Sequence, residues 1–362
     1  MSLNPHWEIR FAHGQDQLQW DSYVANHPQG CAYHFWGFKE AIASAYGFSG
    51  PYFMAMQGNR VRGVLPLICI RFPWTQGGLF SLPYCDAAGP LADSRAIEKV
   101  LVSAAMAHAD ARGIQSFEIR SSHALSTDPW NGRVDNGMAH GKVKMSRALP
   151  SHPDGLLASL KSKVRSQVKK PMRDGLAVCM GGRELLKEFY SIYCENMRDL
   201  GSPAHSMGWF TAILKGYGNR AHVGLVRLPD GTPAAAGIIL CHPHQVSIPW
   251  ASSLRRFNRL NPNMLLYWQF LSFAISWGYP SFDFGRSTLG EGSFRFKAQW
   301  GALDSPLHWA RFSTGTGSQG SKTPSLPSGA LEYRALGALA LSKTPVPILK
   351  WVGRKTRKFI SL

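Results

Sequence analysis

The chain has 362 residues, more than a single hydrophobic core usually serves, so two domains are expected. Hydrophobic residues make up 44% and charged residues 17%, which excludes an intrinsically disordered chain. With 40 Lys and Arg against 22 Asp and Glu, the formal charge of +18 favours anionic partners: nucleic acid, phosphorylated carriers, CoA-like donors or an anionic membrane surface.

Residues 1–10, with Pro5, His6, Glu8 and Arg10, lack the apolar core of a signal peptide. A helix is expected over 36–46, then a Gly58-Asn59 turn leading into a strand over 60–70. A second helix over 94–112 precedes Gly113-Ile-Gln-Ser-Phe-Glu-Ile119, which reads as a strand. In 156–173 the apolar residues Leu156, Leu160, Val164 and Val168 recur every fourth position. They predict one amphipathic helix with Lys161, Lys163, Arg165, Lys169, Lys170 and Arg173 on its other faces, ended by Pro171. A further helix over 184–200 is stopped by Gly201 and Pro203, and the Asp230-Gly231 turn precedes a strand over 232–241. The longest apolar stretch, 264–277, is too short to span a bilayer and reads as a buried helix beginning near Pro262. It leads into Gly278-Tyr-Pro-Ser-Phe-Asp-Phe284.

The last segment repeats the first. Gly113, Ser116, Phe117 and Glu118 align with Gly278, Ser281, Phe282 and Asp283, and each copy follows helix, hairpin and helix. The expected fold class is α/β (α+β): two tandem domains, 1–150 and 151–312, each a mixed, mostly antiparallel sheet flanked by helices. A Gly/Ser/Thr/Pro-rich linker over 313–329 and a basic helical tail over 330–362 follow.

The densest cluster of candidate chemistry is 282–301. A strand ending at Phe284 delivers Gly285, Arg286 and Ser287 to its carboxyl end, where ligand crevices commonly lie. After a glycine loop at Gly290 and Gly292, alternation over 293–300 predicts a strand with Phe294 and Phe296 on one face and Arg295 and Lys297 on the other. Arg286 and Lys297 then either converge on an anionic ligand or the oxyanion of acyl transfer, or stand as solvated charges. Asp283, Glu291 and His205 are candidate proton acceptors, with Asp283 otherwise a partner for Arg286. His242 and His244 read as loop residues. The cysteines at 31, 69, 85, 179, 194 and 241 form no CxxC pair; they are expected as reduced core thiols of a cytoplasmic protein, with no metal site. No Gly-x-Ser-x-Gly elbow or phosphate-binding P-loop is present.

Asp283-Phe-Gly-Arg-Ser287 and Phe296-Lys-Ala-Gln-Trp-Gly301 resemble the FemAB-like branch of the N-acetyltransferase (GNAT) superfamily. The closer resemblance is to its FemAB-related proteins of bacterial exosortase/PEP-CTERM and exopolysaccharide systems. Leu160–Lys170, Asp199-Leu-Gly-Ser-Pro203 and Asn261–Trp268 support it. The resemblance implies two GNAT-like domains and direct transfer of an acyl or aminoacyl group to an amine or hydroxyl of a cell-envelope or glycan precursor. It implies no tightly bound cofactor; acyl-CoA or aminoacyl-tRNA is the co-substrate. The family's phenylalanine-lysine motif maps its catalytically important lysine onto Lys297. With Asp283 and Arg286 as the other catalytic candidates, Phe284, Ser287, Trp300, Lys163 and Arg165 are expected to contact substrate. The chain lacks the Arg/Gln-x-x-Gly-x-Gly/Ala loop that holds CoA pyrophosphate in ordinary GNAT enzymes. Arg255 and Arg256, with Asn261 as N-cap before Pro262 and Asn263 in the first turn, are the nearest substitute for donor binding. No heptad-patterned arm is present to suggest a tRNA donor.

In the tail, Ile348, Val352 and Phe359 gather on one side of a helix and Lys350, Arg354, Arg357 and Lys358 on the other, with Lys355 breaking the apolar face. Such a helix either lies on an anionic membrane, at the inner face of the cell membrane, or packs against the body of the protein. The alternative to a transferase is a non-catalytic adaptor that binds a phosphorylated polymer precursor or nucleic acid. A deep cleft shared by Arg286 and Lys297 would favour the enzyme, a flat basic surface the adaptor.

Overall fold

The computed structural model describes residues 7–71, 77–114, 116–125, 134–135, 138–313 and 339–360. The linker expected over 313–329 falls outside them beyond Ser313, as does the start of the tail.

The first half runs β1 (Glu8–Phe11), α1 (Gln17–Asn26), α2 (Trp36–Tyr46), β2 (Tyr52–Gln57), β3 (Arg60–Pro66), β4 (Ile68–Ile70), β5 (Gly78–Phe80), β6 (Leu91–Ala92), α3 (Arg95–Ala111), β7 (Ser116–Ser121), β8 (Val134–Asp135) and β9 (Met138–Ala148). The second runs α4 (Pro153–Ser159), α5 (Ser162–Arg173), β10 (Ala177–Gly181), α6 (Leu186–Asp199), α7 (Met207–Tyr217), β11 (Ala221–Arg227), β12 (Pro233–His242), β13 (Gln245–Ser253), α8 (Pro262–Ser276), β14 (Ser281–Thr288), α9 (Gly292–Ala298) and β15 (Leu303–Ser313). The tail contributes α10 (Val346–Thr356).

The strands form two sheets. One is four-stranded, β1-β2-β3-β6; the other takes the order β10-β11-β12-β13-β14-β9-β15-β7-β5-β4, with β8 on β15. Pairing is antiparallel except at two places, β5 with β7 and β13 with β14. These two places hold the sequence repeat. Phe117 and Glu118 lie opposite Leu79 and Phe80, while Phe282 and Asp283 lie opposite Val246 and Ser247. In both copies a helix crosses over before the repeated strand, as a parallel connection requires. Its glycine, Gly113 or Gly278, follows the helix at positive φ. The fold is thus the mixed, mostly antiparallel α/β type expected.

The boundary expected near residue 150 does not divide the large sheet. β9, the end of the first half, sits between β14 and β15, and β15 pairs in turn with β7 of the first half. Helices join the halves as well: α2 and α7 cross so closely that a Cβ on Gly37 would lie 2.3 Å from the Gly216 carbonyl oxygen.

Three local readings are corrected. The single helix expected over 156–173 is two, because Leu160 and Lys161 are extended; all four apolar residues of the stripe are nonetheless buried. Pro171 lies within α5, where a last-turn proline removes few hydrogen bonds, and the helix runs on to Arg173. The strand expected over 293–300 is the helix α9, since four alternating residues fit a helical turn as well as a pleat. Arg295 is therefore exposed while Lys297 is buried.

Candidate active site

β13 and β14 are paired only through residues 246–247 and 282–283, and then they part. β14 does not end at Phe284, as the sequence suggested. It continues to Thr288 through a register shift against β9 at Asp283/Gly285, with Gly285 at φ +73°, a conformation that glycine adopts freely. Between the diverging strands opens a cleft of about 360 Å³, lined by 248–252 of β13, Phe284, Gly285 and Arg286 of β14, and Lys297 of α9. Its far walls come from Tyr84, Cys85 and Asp86 of the first half, from α6, and from Arg357 just beyond α10.

Lys297 is 8% exposed, and its Nζ donates to the Arg286 carbonyl oxygen at 2.7 Å. Burial lowers its pKa to about 8, against the opposing pull of Asp86 and Asp283 and with added repulsion from Arg286. Arg286 is held by Asp86: its backbone N–H donates to Oδ2 at 3.0 Å and its Nε lies 3.4 Å from Oδ1. Its guanidinium stands 5.5 Å from the Trp309 ring centre, and the Trp309 indole N–H donates to the Asp86 carbonyl oxygen at 3.1 Å. Lys297, Arg286 and Phe284 are therefore brought together as expected.

Asp283 is not. Its carboxylate is buried, accepts the Gly285 N–H at 2.8 Å and pairs with Lys144 at 3.5 Å, so Lys144 rather than Arg286 is its partner. Burial works against the Lys144 ammonium, yet Asp283, with Cys31 and Asp86, outweighs it and the pKa is raised. Asp283→Asn should cost about 3 kcal/mol in urea unfolding, because it leaves Lys144 without its counter-charge. Adding Lys144→Met should recover most of the loss; two unchanged midpoints would refute the pairing.

Other candidates lie elsewhere. Ser287 is buried and Trp300 sits in the core, neither lining the cleft. Lys163 is exposed on α5, and Arg165 caps the Leu160 carbonyl at 2.6 Å; both are outside the cleft lining. Arg255 binds the Asp199 carbonyl oxygen at 2.7 Å and Arg256 pairs with Glu195, so both face acids at the end of α6. Pro262 opens α8 as expected, but Asn261 is left-handed at φ +54° and its side chain makes no capping bond. Asn263 follows in the first turn, and none of these four lines the cleft. Glu291 is exposed ahead of α9, outside the lining. His205 does line it, but burial and Arg357 hold its pKa well below the ordinary value, and its Nδ1 is bonded to the Tyr46 hydroxyl. His242 is the last residue of β12 rather than a loop residue; it donates through Nε2 to the Val24 carbonyl oxygen at 2.9 Å and accepts on Nδ1 the N–H of His244, which lies in the β12–β13 turn as expected.

Asp86, the one carboxylate among the described residues of the cleft lining, was not found from the sequence. It follows Leu82 and Tyr84, two non-glycine residues at positive φ. The signal that could have found it is the repeat, since the segment after Phe80 is the counterpart of the segment after Ser247. In the first half that space is taken by the buried Arg120, whose Nε donates to Glu118 at 2.7 Å and whose Nη1 reaches the Cys85 carbonyl oxygen at 3.4 Å.

This architecture has a known class. Residues 159–298 match the acetyltransferase (GNAT) domain family, so the second half carries a GNAT acetyltransferase domain. No curated protein sequence matches the chain. Among solved structures, that of FemX is similar with a TM-score of 0.69 at 15% identity, covering 83% of this chain and 96% of its own. L-PGS from Bacillus licheniformis is similar at 0.52 and 13% identity over 78% of this chain and 87% of its own. A tandem GNAT protein from the clavulanic acid biosynthesis pathway is similar at 0.50 and 12% identity over 86% of this chain and all 100% of its own. At these identities the likeness is one of fold. Among the described residues no group of three or more His, Cys, Asp or Glu is placed to hold a metal ion, and no helix is long and apolar enough to cross a membrane.

Proposed function

We propose that this chain is a FemAB-like acyl- or aminoacyltransferase. It moves an acyl group from acyl-CoA or aminoacyl-tRNA to an amine or hydroxyl of a cell-envelope or exopolysaccharide precursor in the cytoplasm. The observation that carries the reading is Lys297, a buried ammonium fixed in the gap between β13 and β14 beside Arg286 and Asp86. The acceptor nitrogen or oxygen attacks the donor carbonyl, and Lys297 donates to the oxyanion that forms. Asp86 takes the acceptor's proton, and collapse expels the CoA thiolate, or the tRNA ribose oxygen, which leaves as a hydroxyl by taking that proton back from Asp86. No bond to the enzyme is made. Arg286 orients Asp86 and contributes positive charge at the cleft. Lys163 and Arg165, outside the cleft, would serve only an extended substrate.

A cleft shared by Arg286, Lys297 and a carboxylate supports the enzyme over the adaptor, which needs only a flat basic surface. The resemblance of the motifs at 283–287 and 296–301 to FemAB-like proteins draws the acceptor toward envelope precursors, and the exosortase/PEP-CTERM-associated type is part of this proposal through the same motifs. The test is mass spectrometry of candidate glycan and peptidoglycan precursors incubated separately with acyl-CoA and with charged tRNA. An acyl mass increment with one donor identifies it. Unmodified precursors with both would sink the reading.

A further inference from the structure

We infer that the outward face of α10 docks the protein on a membrane surface rich in anionic lipid, with the cleft opening beside it. This inference does not depend on the transferase reading.

The helix has two unlike faces. Inward, Leu349 is fully buried and Gly353 lies so close to the body that a Cβ there would meet the Ala204 carbonyl oxygen at 2.2 Å. Phe359, beyond the helix, packs on Phe48 at 6.2 Å between ring centres, and the Tyr84 hydroxyl donates to the Lys358 carbonyl oxygen at 2.5 Å. The helix is thus seated on both halves of the protein, and the face that does the seating is Leu349–Gly353. The apolar side drawn from the sequence, Ile348 with Val352 and Phe359, is not the one that packs as a unit.

Outward, at helical spacing, stand Ile348 (52% exposed), Trp351 (62%), Arg354 and Lys355. Leu339 and Ile360 are exposed at either end of the same segment. Of the twelve large hydrophobic side chains exposed among the described residues, these four fall within residues 339–360. That segment also holds Lys343, Lys350, Arg354, Lys355, Arg357 and Lys358 and no Asp or Glu. An exposed indole and isoleucine flanked by cations fit the boundary between headgroups and acyl chains: the rings and branched carbons enter the interface while the cations meet lipid phosphates. A purely aqueous role gives no reason for the apolar half of the face, and burial against another basic copy of this chain would bring like charges together.

The seating fixes the consequence. Arg357, just beyond the docked helix, lines the same cleft as Lys297, so docking would hold the cleft close to the membrane surface.

Co-sedimentation with vesicles tests this using the full chain. Binding should be weak to phosphatidylcholine vesicles and should rise by about fivefold for each cation engaged when phosphatidylglycerol is added in equal proportion. It should fall again in about 0.5 M NaCl. The pair Ile348→Asp and Trp351→Asp should abolish binding with unchanged circular dichroism and melting temperature. Arg354→Glu with Lys355→Glu should remove the phosphatidylglycerol dependence. Wild-type binding by the Asp variant would overturn the inference. So would a melting temperature lowered by that variant, which would show the face to be covered by the chain's own 314–338. A concentration-dependent dimer lost on Trp351→Asp, without vesicle binding, would assign the face to a second copy and likewise overturn it.

Discussion

Lys297→Met is expected to lower the transfer rate by about 10²–10³-fold while the protein folds normally, because it removes one preorganised donor to the oxyanion and keeps the aliphatic packing. The fold should tolerate the change: the ammonium makes a single hydrogen bond, to the Arg286 carbonyl oxygen, and burying its charge already costs free energy. Lys297→Ala should behave alike in transfer. The pH profile separates a catalytic ammonium from a packing residue. The active form is protonated, and burial has brought its pKa in the free protein down to about 8, so kcat/KM should fall as pH rises through that value. An arginine at 297 stays charged throughout this range, so any activity retained by Lys297→Arg should lack the alkaline limb. Full activity in Lys297→Met, or an alkaline limb unchanged in Lys297→Arg, would remove Lys297 from the chemistry.

Asp86 and Lys297 also mark how far the sequence could be read. Lys297 was legible because its motif is local: glycines, a basic residue and aromatics within twenty positions. The architecture was legible because duplication left Phe117-Glu118 and Phe282-Asp283 in the same parallel pairing. Asp86 was illegible because nothing near it in the chain announces chemistry; it reaches Arg286 across 200 positions. The partner of Asp283 was misread for a related reason. Arg286 is three residues away, but the bulge at Gly285 separates the two, and Lys144 arrives on β9 from the other half. Strand exchange of this kind leaves no periodicity to detect. Arg255 and Arg256 looked like a phosphate site because they precede a helix, while their acidic partners on α6 lie some 60 positions earlier, Arg256 to Glu195 being 61. Long-range charge pairing leaves no such local trace.

The largest effect on stability is expected where the halves touch by backbone. Gly37 on α2 and Gly216 on α7 face each other so that a Cβ on Gly216 would lie 2.6 Å from the Gly37 carbonyl oxygen. The obstacle is main chain within a helix, which cannot rotate aside as a side chain can. Around it the packing is aromatic, with Tyr46 of α2 stacked on Trp209 of α7 at 5.3 Å between ring centres. Gly216→Val must therefore push the helices apart and loosen these rings, for a cost of about 3 kcal/mol or more in urea unfolding. Gly14→Ala, with nothing within 4 Å of the added carbon, is the matched control and should change little. The cleft should suffer too. Tyr84 and Asp86 come from the first half and Lys297 and Arg286 from the second, so a shift between halves misaligns proton acceptor and oxyanion donor. Transfer by Gly216→Val should then drop well below its melting range, whereas a substitution that only destabilised one half would leave the folded fraction fully active. Wild-type stability in Gly216→Val would mean that the halves are not held by this crossing, and a normal rate in its folded fraction would mean that the cleft does not depend on it.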